Sequence, residues 1–399
     1  MSMVEWKKMW EVTIWDKKFS GVDKFMQPNV IKYHYYLANE LTELERQNGD
    51  VRILYTTDKV AFADSSDVEG NISEGEVVAI PWGGNVTIKY FKGKFVTADN
   101  RIATSNNTNY LNNKFLYYWL LSKKKEVGKF YRGAGIQHPS MYKVLNMFVP
   151  IPSLAEQTRI VGMLDTFTAS IDNLKAQIAE RRKQYEYYRD QLYYTSKADL
   201  LEASRNGKAI VKSLDELGTF TRGRRFVRTD IVPEGVPCIH YGDMYTYYGV
   251  SAEETPTHLT KELSSKLRFA KNGDVVIVAA GENDLDIGVG VAWLGKEPVV
   301  VHDACFIFEH KMNPTYLSHF MRSRNYHQQI RMGVVDGKIC SISAKELGRA
   351  LIAVPPLTEQ QRIVSILDTF EASISNLKAQ LKEREKQYEY YRNQLLTFE

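Results

Sequence analysis

The sequence predicts a mixed α/β chain with an internal pseudo-two-fold repeat. Two unlike globular segments are each followed by a copy of one long helix, and the copies pair as an antiparallel coiled coil. Three observations carry this. The stretch KQYEYYRDQL at 183–192 returns as KQYEYYRNQL at 386–395. Around it, 29 of the 39 positions from Leu154 to Leu192 are identical to those from Leu357 to Leu395, without a gap, at an offset of 203. Apolar residues in both copies recur in alternating steps of four and three, the heptad spacing of a coiled-coil seam.

The elements follow in order: a globular segment at 1–151, a spacer helix within 152–200, a second globular segment at 201–353, and a second spacer helix within 354–399. The first seam reads Ile160, Leu164, Phe167, Ile171, Leu174, Ile178, then Tyr185, Tyr188 and Leu192. The second reads Ile363, Leu367, Phe370, Ile374, Leu377, Leu381, then Tyr388, Tyr391 and Leu395. Arg181 and Arg384 interrupt the two seams at matching places, as register-setting polar residues or as side chains that snorkel outward. At ~1.5 Å per residue each helix spans roughly 50–55 Å. One apolar stripe on a helix that long needs a partner, and the other copy is the nearest one. A two-fold axis perpendicular to the helices makes the pair antiparallel and sets the globular segments at opposite ends of a rod. The helices alone fit plain oligomerisation equally well.

Composition bounds the function. A chain of 399 residues exceeds one typical core. Apolar content of 44% and charged content of 25% are those of an ordinary soluble protein, and a net charge of +4 permits a nucleic-acid partner without demanding one. Cys238, Cys305 and Cys340 form no CxxC pair and suit a reducing compartment. The opening MSMVEWKKMWEV lacks an apolar signal core, and no apolar run approaches the ~20 residues of a membrane span. The expectation is a cytoplasmic protein, in which the sequons at Asn71, Asn85 and Asn106 have no consequence.

The globular segments share only a skeleton. Residues 73–78 (SEGEVV) match 271–276 (KNGDVV), a turn feeding a strand. GKFVTAD at 93–99 resembles Gly295-Lys296 followed by VVVHD at 299–303. Asn-x-x-Tyr-Leu is expected to open a helix in both, at Tyr110-Leu111 and Tyr316-Leu317. Both segments close through a glycine loop, GAGIQH at 133–138 and GVVDGK at 333–338, ahead of a strand running into a proline. Like frameworks with unlike loops suit two different binding surfaces held at a set distance.

The openings of the two helices, IPSLAEQTRIV at 151–161 and VPPLTEQQRIV at 354–364, share Pro-x-Leu-x-Glu-Gln-x-x-Ile-Val, and each follows a variable segment. With GVPCIHYGD at 235–243, and Trp82-Gly83-Gly84 with TADN at 97–100, the chain resembles the specificity subunit of Type I DNA restriction-modification systems over essentially its whole length. That resemblance implies two target-recognition domains, each reading one half of a bipartite site on double-stranded DNA, and two helices acting as a ruler between them. It also implies two modification (methyltransferase) subunits and restriction/translocase subunits as partners. S-adenosylmethionine, ATP and magnesium would sit on those partners and none on this chain. One DNA turn of roughly 34–36 Å is commensurate with the helices. The competing reading is a coiled-coil structural protein without a DNA role.

Catalytic motifs are wanting. GVAWLGKE at 290–297 has P-loop spacing as far as Lys296, but Glu297 stands where Ser or Thr would hold magnesium, and Pro298 follows. The run reads instead as a strand and turn. No Asn/Asp-Pro-Pro-aromatic methyltransferase loop occurs. His240, His302, His310, His319 and His327 lack zinc-ligand spacing, and Asp243, Glu282, Asp284, Asp286 and Asp303 read as turn residues rather than a nuclease cluster. The expectation is a binder that is not itself an enzyme.

Candidate DNA contacts follow from residue chemistry. In the second segment, TRGRRFVR at 221–228 supplies Arg222, Arg224, Arg225 and Arg228, with His240, Tyr241 and Lys338 in nearby loops. Arginine suits bidentate guanine readout or phosphate contact, and a solvated basic turn accounts for the cluster equally. In the first segment the candidates are Lys89, Lys92, Lys94, Arg101, Arg132, Gln137 and His138; Lys123, Lys124 and Lys125, after the apolar FLYYWLL, suit phosphate.

Overall fold

The structure is a computed structural model that describes residues 4–398. It divides into two compact units: the chain up to Leu174 together with the segment from Gln380 onward, and Lys175–Ala379. Each unit therefore takes the first half of one long helix and the last half of the other.

The two helices are Leu154–Leu192 and Leu357–Leu395. In the first unit, Phe167 stacks on Tyr391 at 5.2 Å and 27°, Arg384 lies over the Phe167 ring, and Leu395 and Leu396 join the cluster holding Ile160 and Leu164. In the second, Tyr188 stacks on Phe370 at 5.4 Å and 25°, Arg181 lies over Phe370, and Leu192 packs against the cluster holding Ile363. Within each unit, then, the end of one helix runs beside the beginning of the other: the pairing is antiparallel, and its contacts repeat at the offset of 203. The seam arginines neither point into a dry core nor leave the seam; they cover a phenylalanine face, a cation–π contact. Ile160, Leu164, Ile171, Ile363, Leu367 and Ile374 are buried, as is Tyr185; Leu174, Ile178, Leu377 and Leu381, at the middle of the helices, are half-buried.

The globular parts share one sheet. In the first unit the strand order is Thr13–Trp15, Asn100–Ser105, Ser73–Pro81, Lys89–Thr97, Val51–Leu54, Val60–Ala63, with Val51–Leu54 parallel to Lys89–Thr97 and all other neighbours antiparallel. In the second it is Gly218–Arg222, Cys305–His310, Val275–Val278, Gly290–Trp293, Ser251–Ala252, again with a single parallel pair, Gly290–Trp293 with Ser251–Ala252, which corresponds to Lys89–Thr97 with Val51–Leu54. Val275–Val278 (VVIV) is buried throughout, as an unbroken apolar run at the centre of a sheet should be. The second unit adds a four-stranded sheet around Val236–Ile239 and Val299–Val301. A short antiparallel pair closes each globular part where its ends meet, Glu5–Lys8 on Phe148–Ile151 and Val211–Ser213 on Leu351–Ala353.

The Glu-Gln motif at each helix start acquires a reason. Gln157 is fully buried; its Oε1 accepts from the Asn112 N–H at 2.8 Å, and its Nε2 donates to the carbonyls of Tyr110 and Pro152, both at 2.9 Å. Gln360 accepts from the Asn313 N–H at 2.9 Å and donates to the Pro355 carbonyl at 2.8 Å. Asn112 and Asn313 are themselves N-caps, of helices Asn113–Ser122 and Pro314–Phe320. Glu156 and Glu359 pair with Arg159 and Arg362, one helical turn on. This corrects the expected helix start in the first segment: Tyr110-Leu111 precede the helix, and the residue matching Asn313 is Asn112 rather than Asn107. The paired asparagine cap, not the Asn-x-x-Tyr spacing, sets the boundary.

No helix among the described residues is long and apolar enough to cross a membrane.

Candidate nucleic-acid interface

In the second unit the basic stretch leaves the edge strand Gly218–Arg222 and passes close beneath the adjacent backbone. Gly223 permits this: a Cβ there would lie 2.3 Å from the His302 carbonyl oxygen. The Gly223 and Arg224 N–H groups donate to the carbonyls of Cys305 (2.9 Å) and Val301 (3.1 Å), fixing the turn. Arg222 donates from Nε to the Asp303 carbonyl at 2.8 Å, and Arg224 from Nη1 to the Lys266 carbonyl at 2.7 Å. Both side chains remain exposed, as do Arg225 and Arg228. Arg268 donates to the Arg222 carbonyl and adds an exposed fifth arginine that lies 46 residues away in sequence.

Behind the arginines sits an aromatic cluster. Phe226 meets His302 edge-on at 5.0 Å, His240 lies 4.9 Å from His302, and Tyr241 lies 4.6 Å from His240 and 5.3 Å from His302. The Ala304 N–H donates to His302 Nδ1 at 3.1 Å, so the proton is on Nε2, which donates to the Phe226 carbonyl at 3.0 Å. The Gly242 N–H likewise donates to His240 Nδ1 at 3.2 Å. Burial pushes both imidazoles below their ordinary range, with Arg228 acting in the same direction on His240. Both are thus neutral at pH 7, and the positive charge of this face comes from its arginines. Lys338 is exposed in the loop between Val335 and Ser341, whose backbones bond to each other.

In the first unit the structure separates the candidates. Arg132, Gln137 and His138 are exposed on one hairpin, in which Tyr131–Arg132 pairs with His138–Pro139. The hairpin is pinned to the 82–84 loop: the Gly84 N–H donates to the Gln137 carbonyl at 3.0 Å, and His138 Nδ1 lies 2.8 Å from the Trp82 carbonyl. Trp82 lies 5.0 Å from the His138 ring, tilted 38° to it, and the Arg101 guanidinium lies over its ring at 4.2 Å.

Arg101 itself is a correction. It is 2% exposed, paired with Asp99 at 2.9 Å and with buried Asp16 at 3.5 Å, so its charge is held inside the unit and does not reach a surface. It supports Trp82 from beneath. The strand lysines divide by face. Lys92 and Lys94 are exposed and stand opposite Glu76 and Glu74 across the sheet, with 3.8 Å between Lys92 and Glu76, which offsets much of their local field. Lys89 points to the other face, is half-buried, and donates to the Tyr55 carbonyl; burial draws its ammonium down to about 8. Lys124 and Lys125 are exposed and Lys123 half-buried at the end of helix Asn113–Ser122.

Sequence reasoning missed Arg268, Trp82 as the ring that meets both Arg101 and His138 in the first-unit loop, and His302 as a member of the aromatic cluster. A tryptophan before two glycines was a visible signal; the other two depend on distant strands meeting. Asp284 and Asp286 lie in a short 3-10 turn capped by Asn283, and among the described residues no group of three or more His, Cys, Asp or Glu is placed to hold a metal ion.

Comparison with known proteins bears on this pair of faces. A family model described as the Type I restriction modification DNA specificity domain matches residues 18–181 and again 206–385. A putative type I restriction enzyme specificity subunit of Haemophilus influenzae is 29% identical over 360 residues, covering 83% of this chain and 85% of that protein. The EcoR124I/EcoR124II specificity subunit of Escherichia coli is 30% identical over 323 residues, covering 77% and 76%. Among solved structures, the Type-I restriction-modification S subunit from M. genitalium superposes with a TM-score of 0.60 at 15% identity, over 100% of this chain and 98% of that one. A chain from a structure describing complex assembly and conformational transition of the type I R-M system gives 0.54 at 14% identity, over 99% and 98%. These two share the fold.

Proposed function

The chain belongs to the family of Type I restriction-modification DNA specificity subunits, and we propose that its two globular parts read the two unlike halves of a split, asymmetric DNA site. It is a sequence-recognition subunit of a larger enzyme and not a catalyst in its own right. The observation that carries the asymmetric reading is the contrast within the repeat: five corresponding strands, joined by a sixth in the first unit, present an arginine face over neutral histidines in one unit and a Trp82-backed glycine hairpin in the other. Equal surfaces would read a palindrome; these are unequal.

On this reading residues 1–151 and 201–353 are the target-recognition domains, and the helices within 152–200 and 354–399 are the spacer. Arg222 and Arg224, tied to backbone carbonyls, suit phosphate, where position matters more than identity. Arg225 and Arg228, with His240 and Tyr241 in the cluster behind them and Lys338 on the exposed 335–341 loop, are the base-reading candidates of the second half-site. Arg132, Gln137 and His138 are those of the first, and Lys92, Lys94 and Lys89 contribute at most to its phosphate track. Two modification subunits bring S-adenosylmethionine chemistry, and restriction/translocase subunits bring ATP and magnesium. The compartment is the cytoplasm.

The test is a methylome. The chain is expressed with its modification partner in a methylation-free host, and modified bases are mapped genome-wide. A split motif with two different halves, lost when the chain is omitted, is expected; a palindromic motif, or none from an intact complex, refutes the reading. In vitro, Arg225→Ala with Arg228→Ala should weaken binding and lower the salt slope by about one per phosphate contact removed, or relax one base in the second half-site if the contact is to a base.

A further inference from the structure

The two hairpins that close the globular parts have diverged almost completely. Aligned at the same offset of 203, residues 131–139 (YRGAGIQHP) and 334–342 (VVDGKICSI) share one residue in nine: Ile136 and Ile339. The alignment is structural as well. Helices Met141–Leu145 and Ala344–Gly348 follow at that offset, with Ser140 and Ser343 at their N-cap positions. The residue after each isoleucine is held to the same neighbouring loop, Gln137 to Gly84 and Cys340 to Gly281.

A residue kept through such divergence is ordinarily kept by packing. Neither of these is packed: Ile136 is 71% exposed and Ile339 is 62% exposed. Their backbones, however, are fixed. Ile136 sits on the bare backbone of Gly83, where a Cβ would meet its Cγ2 at 2.8 Å, and its hairpin is pinned by Gln137 and His138. Ile339 is held between the Cys340–Gly281 pairing and the reciprocal Val335–Ser341 bonds. Each is a stiff, β-branched, apolar side chain presented to solvent on an anchored hairpin. Around them stand groups suited to DNA: Arg132, Gln137 and His138 beside Ile136, and Lys338 beside Ile339.

Resting on the specificity reading above, we infer that Ile136 and Ile339 are matched base-contacting residues, each pressing its alkyl group against bases of its own half-site while the flanking polar groups hold the backbone. Phosphate offers nothing to an isoleucine; bases offer thymine methyl groups and the faces of partly unstacked steps. DNA is favoured over a protein partner because the residue recurs once per recognition segment, in the loop whose other residues differ as the half-sites do.

The experiment uses the full chain in complex with its modification subunits and duplexes carrying the motif found in the methylome. Ile136→Ala should weaken specific binding ~5–30-fold through the first half-site alone, and Ile339→Ala through the second alone. Binding to unrelated duplex should stay within ~2-fold, since that term is phosphate-borne. Leu37→Ala and Ile210→Ala, equally exposed apolar residues away from the hairpins, serve as controls and should change neither. Replacing thymine by uracil in one half-site, and placing 2-aminopurine there, separate the two base chemistries. A uracil loss that does not add to the alanine loss marks methyl contact; 2-aminopurine brightening that needs the isoleucine marks insertion. If neither probe responds, or if both alanine variants bind like the native chain, the inference is overturned while a split motif leaves the specificity reading intact. If the native complex itself shows no split motif, it is that reading that falls.

Discussion

Truncation after Ser196 asks whether the first unit can find its missing half in a second copy of itself. In the full chain that unit is completed by the segment from Gln380 onward. The half-chain carries a near-replica at 177–195, in which Tyr188 and Arg181 stand for Tyr391 and Arg384 against Phe167. The replica fails at its last turn. Leu396, 5% exposed in the first unit's core, becomes Tyr193, and Phe398, whose ring lies 6.3 Å from that of Phe115, becomes Thr195. Forcing a tyrosine into a leucine site costs about 1–3 kcal/mol. A two-fold dimer meets this twice, so residues 1–196 should dimerise, but weakly. Tyr193→Leu with Tyr194→Thr and Thr195→Phe restores the native tail. At ~1 kcal/mol or more per interface, the triple variant should dissociate at least ~30-fold less readily. Sedimentation of both proteins over a micromolar range measures this. With modification subunits present, the dimer should direct methylation to a palindrome of the first half-site. A half-chain that stays monomeric at high micromolar concentration, or a triple variant no tighter than its parent, would refute the account of how the tail completes the unit.

Three further outcomes follow from the same geometry. Gln157→Ala orphans the Asn112 N–H and the Tyr110 and Pro152 carbonyls, whereas Gln360→Ala orphans only the Asn313 N–H and the Pro355 carbonyl. At about 1–3 kcal/mol per dry unpaired group, hydrogen exchange should show the first-unit helix losing more protection than the second-unit helix does. Arg101→Ala leaves Asp16 buried without its cation and should destabilise the first unit by about 3–5 kcal/mol, seen as a lower urea midpoint, while the salt slope of DNA binding is unchanged. Burial holds His310 down to about 4, with its Nε2 unpartnered, so the unfolded chain takes up the proton first. Stability is then full above about pH 6.5 and falls toward pH 4 by at most ~1.4 kcal/mol per unit. His302, His319 and His327 are shifted in the same direction, so His310→Asn should flatten the acid limb in urea titrations without abolishing it.

What was legible in the sequence was whatever repeats locally. The heptad steps from Ile160 to Leu192 give the helix, its seam and its need for a partner without any tertiary information. The antiparallel sense followed from the duplication together with a two-fold axis set perpendicular to the helices. The site was harder, because its residues owe their roles to partners far along the chain. Arg101 looks like a surface strand residue until Asp16, 85 positions earlier, is seen to lie beside it. Arg268 becomes a neighbour of Arg222 only because Val299–Val301 lies between Val236–Ile239 and Phe269–Ala270 in one sheet, bringing distant loops together. Lys92 and Lys94 look available in sequence, and only the register shows each standing opposite a carboxylate, Glu76 and Glu74. The helix start at Asn113 is hidden for a similar reason: the N–H of its Asn112 cap is held by Gln157, 45 positions further along the chain.

The survival of two nearly identical helices between diverged heads has a mechanical explanation in these contacts. The first unit stacks the phenylalanine of the first helix on a tyrosine of the second; the second unit stacks the phenylalanine of the second on a tyrosine of the first. The arginine over each ring is likewise supplied by the opposite copy. Each copy therefore supplies the phenylalanine of one stack and the tyrosine and arginine of the other. A change of Tyr188 alone must be answered by Phe370, yet it leaves Tyr391 and Phe167 as they were, so the two units cease to match. The heads face no such coupling, because each hairpin and each basic loop packs within its own unit. Loops are thus free to change what they bind while KQYEYYR is held in place twice, by a constraint that neither copy meets alone.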